Sequence, residues 1–191
     1  MSADRTFTQV DWSTLPVPED DGGARHLSGV RVADVALPST AGGNVSLAKL
    51  SGRTVLFAYP MTGTPGVALP DGWDAIPGAR GCTPHTCAFR DLNAELVEAG
   101  ASAVFGLSTQ TLPEQRATVE RLHLPFSLLS DAGLALTRAM ALPSMEVAGK
   151  TMIKRLALIV DDGVTARVFY PVFPPDRNAA DVLAWLRANP R

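Results

Sequence analysis

The chain has 191 residues and a formal net charge of −2, with 46% hydrophobic and 19% charged side chains. This length suits one domain with a proper core, and the near-balanced charge gives no electrostatic basis for binding nucleic acid or an anionic membrane. No apolar run approaches the roughly 20 residues that cross a bilayer, and the N-terminus lacks the basic and apolar segments of a secretory signal. We therefore expect a soluble cytoplasmic protein with no nucleic-acid or membrane partner.

The chain divides into an arm and one domain. Residues 1–28 are polar and turn-prone, which predicts an irregular N-terminal arm packed on the domain through Trp12, Leu15 and Leu27. Over residues 29–191, short apolar runs alternate with amphipathic segments. This alternation predicts an α/β domain, a central mixed β-sheet flanked by helices on both faces.

The predicted elements follow from hydrophobic periodicity and turn signals. In chain order, strands are predicted at 30–37, 54–59, 103–107, 126–129, 152–160 and 165–172, and helices at 88–97, 113–122, 131–142 and 179–188. The sequence Asp161-Asp162-Gly163 is a strong hairpin signal between the last two strands. Residues 60–81 form a long loop rich in proline and glycine, and a loop of this size in a compact domain is usually functional or an insertion.

The two cysteines, Cys82 and Cys87, carry most of the functional information. The chain is too long and too poor in cysteine for a secreted disulfide scaffold, so two nearby thiols indicate reactivity, a metal site or coincidence. Proline is tolerated only in the first turn of a helix, so Pro84 places Cys82 at or just before a helix N-terminus. Unpaired N–H groups and the helix dipole stabilise a thiolate there, the form that peroxides oxidise. Cys82 is therefore the stronger nucleophile candidate.

Cys87 lies five residues further along the same predicted helix. In an ideal helix this spacing separates the two Cα atoms by roughly 8–9 Å, beyond the limit of about 7 Å for a disulfide. The two sulfurs can bond only after the first turn or more unwinds. A disulfide between them would therefore convert oxidation into a conformational change.

Other interpretations of the two cysteines remain open from the residues alone. Both could be inert core residues, or Cys82, His85 and Cys87 could supply three metal ligands, although the spacing is not that of a zinc knuckle. A thiol–disulfide oxidoreductase normally carries C-x-x-C, whereas this chain has four intervening residues. A redox sensor, in which the thiol pair reshapes the loop of residues 60–81 for a partner, is the alternative outside catalysis.

The segment GCTPHTCAFRD, residues 81–91, resembles the active-site pattern P-G-C-T-x-x-x-C-x-F-R-D of the peroxiredoxin Q (bacterioferritin comigratory protein) group. The resemblance extends over most of residues 29–190 and implies a thioredoxin-like fold. It implies a thiol peroxidase for hydrogen peroxide and organic hydroperoxides, with Cys82 peroxidatic and Cys87 resolving. It further implies an intramolecular Cys82–Cys87 disulfide reduced by a thioredoxin-type protein, and we expect a monomer with no cofactor and no metal.

The chain departs from the group pattern just before Cys82. The group carries P-x-x-x-T-x-x-C without interruption, whereas here Pro60 and Thr64 are followed by Val67. The simplest alignment keeps Pro60 and Thr64 in their usual catalytic places and treats about 67–81 as an insertion. Ala79 stands where an uninterrupted pattern would put the threonine.

The resemblance also implies a catalytic arginine at the start of a late strand, under the peroxidatic sulfur, and Arg155 matches it. A guanidinium stays charged and offers a rigid fork of donors, which suits holding a thiolate and polarising a peroxide. Lys154 should face the opposite side of that strand. His85 occupies a position that the group usually fills with Glu or Gln.

Overall fold

The computed structural model describes residues 10–191; the first nine residues of the predicted arm lie outside the described residues. The strands in chain order are β1 (Leu37–Pro38), β2 (Asn44–Val45), β3 (Arg53–Ala58), β4 (Ala103–Ser108), β5 (Ser127–Ser130), β6 (Ser144–Val147), β7 (Lys150–Ile153), β8 (Leu156–Asp161) and β9 (Val164–Phe169). The helices are α1 (Cys82–Asp91), α2 (Asn93–Glu98), α3 (Leu112–Leu122), α4 (Ala135–Ala139) and α5 (Asn178–Ala188), with short 3₁₀ turns between elements.

Within residues 10–191, five strands form the central sheet in the order β5-β4-β3-β8-β9. Strand β3 pairs in parallel with β4 and antiparallel with β8. The pair β4–β5 is parallel, and the pair β8–β9 is antiparallel. The mixed sheet with helices packed against it confirms the predicted α/β class.

Strand β3 separates two apolar cores. Its side chains alternate between the faces, so that Val55 and Phe57 enter one buried cluster while Leu56 and Ala58 enter the other. On the first face, α1, α2 and α5 supply the partners, and the rings of Phe57 and Phe89 stack with centroids 4.1 Å apart. A strand buried on both faces reads as a continuous apolar run, which explains why residues 54–59 were predictable as a central strand.

The predicted strand over 152–160 is wrong as a single element. Strand β7 ends at Ile153 and β8 begins at Leu156, which leaves Lys154 and Arg155 between them. Strand β7 pairs with β6 in a separate hairpin, whose turn residues Ala148 and Gly149 have φ values of 50° and 73°. Hydrophobic periodicity did not indicate two separate strands because apolar residues stand on both sides of Lys154 and Arg155.

Other predicted elements are wrong in extent. The helix predicted over 88–97 is divided at Leu92 between α1 and α2, and the strand predicted over 165–172 ends at Phe169. Over 30–37 the structure has only an isolated bridge at Arg31 and the two-residue strand β1, in keeping with the imperfect alternation of that segment. The predicted helix over 131–142 is reduced to α4. Leu134 and Ala141 have φ values of 58° and 46°, a left-handed backbone that interrupts a helix on either side.

The described part of the arm packs on the domain. Leu27 is fully buried in the second core, and Trp12 donates from Nε1 to Asp176 at 2.9 Å while its ring meets Phe173 edge-on. Asp21 accepts from Lys154 Nζ at 2.6 Å. The division of the chain after residue 28 stays a prediction. None of the helices within residues 10–191 has the length and apolar composition to cross a membrane.

Candidate active site

Cys82 is the first residue of α1, as Pro84 in the first turn predicted. The residue before it, Gly81, has φ of 98° and ψ of 21°, a left-handed conformation that glycine adopts at little cost. A Cβ at Gly81 would also lie 2.6 Å from the ring of Trp12. Both the left-handed backbone and the contact with Trp12 therefore favour glycine at this position. Cys82 follows at the start of the helix and is only 4% exposed.

The Cys82 sulfur has two polar neighbours, the Arg155 guanidinium and the Ala79 carbonyl oxygen. Arg155 Nη2 donates to Sγ at 3.2 Å, and the thiol can itself donate to the carbonyl oxygen of Ala79 at 3.5 Å. Cationic donors form stronger hydrogen bonds to anions than to neutral acceptors, so Arg155 favours negative charge on the sulfur. The structure thus brings together two of the predicted site residues, which are 73 positions apart.

Arg155 is itself buried and held on two sides. Its Nη2 lies 3.3, 3.2 and 3.2 Å from the carbonyl oxygens of Gly78, Ala79 and Arg80. Its Nη1 donates to His85 Nδ1 at 2.9 Å. Among the described residues, Nε has no hydrogen-bond partner. The guanidinium is therefore fixed by the inserted loop and by α1 before any substrate arrives.

His85 is a site residue whose role the sequence alone did not assign. An arginine can only donate, so Nδ1 must accept, and Nε2 carries the proton and donates to Asn178 Oδ1 at 2.9 Å. Burial, and then the charge of Arg155, hold the pKa of His85 well below its usual range, while the Asn178 contact opposes the shift. The sequence contained one signal that His85 belongs to the site. It lies three residues after Cys82, and residues i and i+3 lie on the same face of a helix.

The buried His85 predicts a specific loss of stability in acid. The unfolded chain binds a proton at His85 below about pH 6.5, whereas the folded protein keeps the ring neutral, so stability falls as pH drops below that value. His85→Gln preserves an acceptor for Arg155 and a donor for Asn178 but does not titrate. Between pH 7.5 and pH 5, urea unfolding should show wild type losing about 2 kcal/mol more than this variant.

The control for this prediction is His123→Asn, because His123 is exposed at the end of α3. This variant should keep the wild-type dependence of unfolding free energy on pH. Equal pH dependence in wild type and His85→Gln would contradict the neutral, buried state of His85.

Cys87 lies on the same helix as Cys82 and is half-buried against the first core. The structure holds both cysteines as thiols, with α1 intact from Cys82 to Asp91. An ideal helix keeps residues five apart beyond disulfide reach, so the two sulfurs can meet only if the start of α1 unwinds.

The structure does not bring Pro60 and Thr64 into the cleft at Cys82. Pro60 is buried at the end of β3 and lines a different cavity with Thr109 and Met152, whereas Thr64 is exposed on the loop. Ala79, three residues before Cys82, has its carbonyl oxygen 3.5 Å from the sulfur. The catalytic roles of Pro60 and Thr64 stay predictions.

The metal-site alternative finds no support in this geometry. Both ring nitrogens of His85 are hydrogen-bonded, to Arg155 and Asn178. Across the part of the chain that the structure describes, no three His, Cys, Asp or Glu side chains lie close enough together to hold a metal ion.

Comparison with known proteins identifies the family to which this chain belongs. The protein family model described as Redoxin matches residues 27–183. A putative peroxiredoxin of Mycobacterium tuberculosis is 34% identical over 165 residues, which cover 84% of this chain and 96% of that protein. The chain belongs to the peroxiredoxins of the redoxin family. The resemblance noted in residues 81–91 is thereby confirmed.

Other relatives of this peroxiredoxin include proteins of the Q type. The chloroplastic peroxiredoxin Q of Suaeda salsa is 30% identical over 148 residues, covering 77% of this chain but 61% of that protein's length. The crystal structure of peroxidoxin BcpB from M. tuberculosis superposes with a TM-score of 0.69 at 32% identity, covering 86% of this chain and 98% of that one. The predicted thioredoxin-like fold is confirmed.

Proposed function

We propose that this peroxiredoxin is a thiol peroxidase that reduces hydrogen peroxide and organic hydroperoxides through Cys82. The observation that carries the proposal is Arg155 Nη2, 3.2 Å from the Cys82 sulfur at the start of α1. The thiolate attacks one peroxide oxygen, the O–O bond breaks, and the second oxygen takes a proton and leaves as water or an alcohol. Cys82 becomes a sulfenic acid, and the guanidinium offers its donors to the charge that develops on the departing oxygen.

Cys87 completes the oxidative half of the proposed cycle. Its thiolate attacks the Cys82 sulfenic sulfur, an S–S bond forms, and hydroxide leaves to become water. The intact α1 opposes this step because it holds the two residues apart, so the first turn must open before the sulfurs meet. Both cysteines belong to one chain, which allows the step to occur within a monomer.

A dithiol protein of the thioredoxin type is the proposed reductant. Two successive thiol–disulfide exchanges return Cys82 and Cys87 to thiols and leave the disulfide on the partner. A bond that forms and is reduced in every cycle needs a reducing compartment, and for this reason we place the cycle in the cytoplasm.

Sustained turnover tests the proposal. The protein should consume many equivalents of hydrogen peroxide when thioredoxin, thioredoxin reductase and NADPH are present. A redox sensor would instead consume a single equivalent per chain and stop. Consumption that ends after one equivalent, with an active reductase system, would overturn the peroxidase assignment.

Replacing the resolving cysteine separates the two halves of the cycle. Cys87→Ser should keep the rate of the first oxidation within about twofold of wild type, because Cys82 and Arg155 are untouched. Turnover with thioredoxin should fall at least about 50-fold, since no disulfide forms for the dithiol to attack. Mass spectrometry of peroxide-treated wild type should show a Cys82–Cys87 bridge that the variant lacks. Normal turnover of Cys87→Ser with thioredoxin would contradict the resolving role.

A further inference from the structure

The inserted loop, defined here as residues 67–81, lies over the start of α1. It contains the 3₁₀ turn Trp73–Ala75, and Trp73 is only 3% exposed although it belongs to a loop. A tryptophan is the largest apolar side chain, and burying it removes a large area from water. The loop is therefore docked on the domain through this residue.

Trp73 docks on the β6–β7 hairpin. It forms a small buried cluster with Ala79 of the same loop and with Val147 and Met152 of the hairpin. The other end of the loop is held by Arg155, whose Nη2 lies 3.2 Å from the carbonyl oxygen of Ala79. The loop is thus fixed by an apolar contact on one side and by the active-site arginine on the other.

This arrangement leaves very little room at the sulfur. The cleft beside Cys82 has a volume of about 10 Å³. Its walls are Met61, Gly63, Leu69, Trp73, Arg80, Gly81 and Thr83. A volume of about 10–15 Å³ is what a single water molecule needs, so the space between these walls takes only a small group beside the sulfur, while the cleft stays partly open to solvent.

The chemistry of the walls narrows the possible substrates. Hydrogen peroxide has two oxygen atoms and can reach the sulfur with small shifts of flexible side chains such as Met61 and Leu69. A hydroperoxide with a bulky carbon group brings that group against the same walls, of which the Trp73 ring is the largest. The ring is rigid and well packed, so accommodating such a group requires moving the loop off the β6–β7 hairpin.

We propose that Trp73 determines the size of peroxide that this protein reduces, by holding the inserted loop over Cys82 so that hydrogen peroxide reacts much faster than bulky organic hydroperoxides. The inference rests on the proposed peroxidase function and specifies its substrate class. Trp73 acts by excluding volume and does not contact the reacting atoms.

The test compares two peroxides in single-turnover oxidation of Cys82. Wild type should react with hydrogen peroxide at least about 10-fold faster than with cumene hydroperoxide, because the aromatic group does not fit the cleft. In Trp73→Ala the cumene hydroperoxide rate should rise about 10-fold, while the hydrogen peroxide rate stays within about threefold. Equal wild-type rates for the two peroxides, or an unchanged ratio in the variant, would overturn the inference.

Two further variants keep the test decisive. Leu69→Ala opens another wall of the cleft with a smaller loss of packing, and it should shift the ratio in the same direction even if Trp73→Ala does not fold. Trp185→Ala is the matched control, because Trp185 lies on α5 beside Arg53, outside the cleft. It should leave the ratio unchanged. A wild type that does not react with hydrogen peroxide defeats the proposed function instead, so the two failures are distinguishable.

Discussion

Replacing Cys82 by serine is expected to reduce peroxide turnover below detection. A serine hydroxyl is a weak nucleophile without an adjacent base, and oxygen cannot form the sulfenic acid on which the cycle depends. The substitution keeps the size and the hydrogen-bonding capacity of the side chain, so Arg155 retains an acceptor at about the same place. Peroxide consumption with thioredoxin, thioredoxin reductase and NADPH measures the effect.

The control for Cys82→Ser is Cys87→Ser, which removes the other thiol of the chain. Cys87→Ser should still be oxidised once by hydrogen peroxide, whereas Cys82→Ser should show no sulfenic acid by mass spectrometry. Thermal unfolding should confirm that both variants are folded. Sustained turnover by a folded Cys82→Ser protein would show that the reactive group lies elsewhere.

Replacing Arg155 by methionine should slow the oxidation of Cys82 by about 10²–10³-fold, the usual cost of removing one preorganised donor from a site of developing charge. Arg155 Nη2 is the donor within 3.2 Å of the sulfur, and methionine retains only the apolar part of the side chain. The oxidation rate of Arg155→Lys should lie between those of Arg155→Met and wild type. An ammonium keeps the charge, but it cannot contact both the sulfur and His85 as the planar guanidinium does.

Lys154→Met is the matched control for Arg155→Met. The two cations are adjacent in sequence, but Lys154 Nζ contacts Asp21 at the surface instead of the sulfur. Exposed ion pairs contribute little, so the oxidation rate of Lys154→Met should remain within about twofold of wild type. The measurement is the rate constant for hydrogen peroxide in the absence of reductant. A folded Arg155→Met protein reacting within threefold of wild type would refute the role of Arg155.

Much of the site was predictable from short stretches of sequence. The start of α1 at Cys82 followed from Pro84, because proline is tolerated only in the first turn of a helix. The buried strand β3 followed from a continuous apolar run. The position of Arg155 came from the resemblance, and the structure places its guanidinium against the Cys82 sulfur.

Contacts between distant residues were not predictable in the same way. One partner of His85 is Asn178, 93 residues away, and nothing in either local sequence identifies the other. Pro60 and Thr64 were assigned to the site by aligning the chain around an insertion, yet Ala79 lies beside the sulfur. An alignment gives the order of residues but not the path of the inserted chain.

The sequence by itself determined which thiol is presented at a helix start, because backbone geometry at Gly81, Cys82 and Pro84 depends on neighbours a few residues away. Only the tertiary structure decided how Trp73 closes the cleft and what holds Arg155 in place. Those contacts depend on the β6–β7 hairpin and on the break before β8. The hairpin lies far along the chain from Trp73, so only the packing of the whole domain brings the two together.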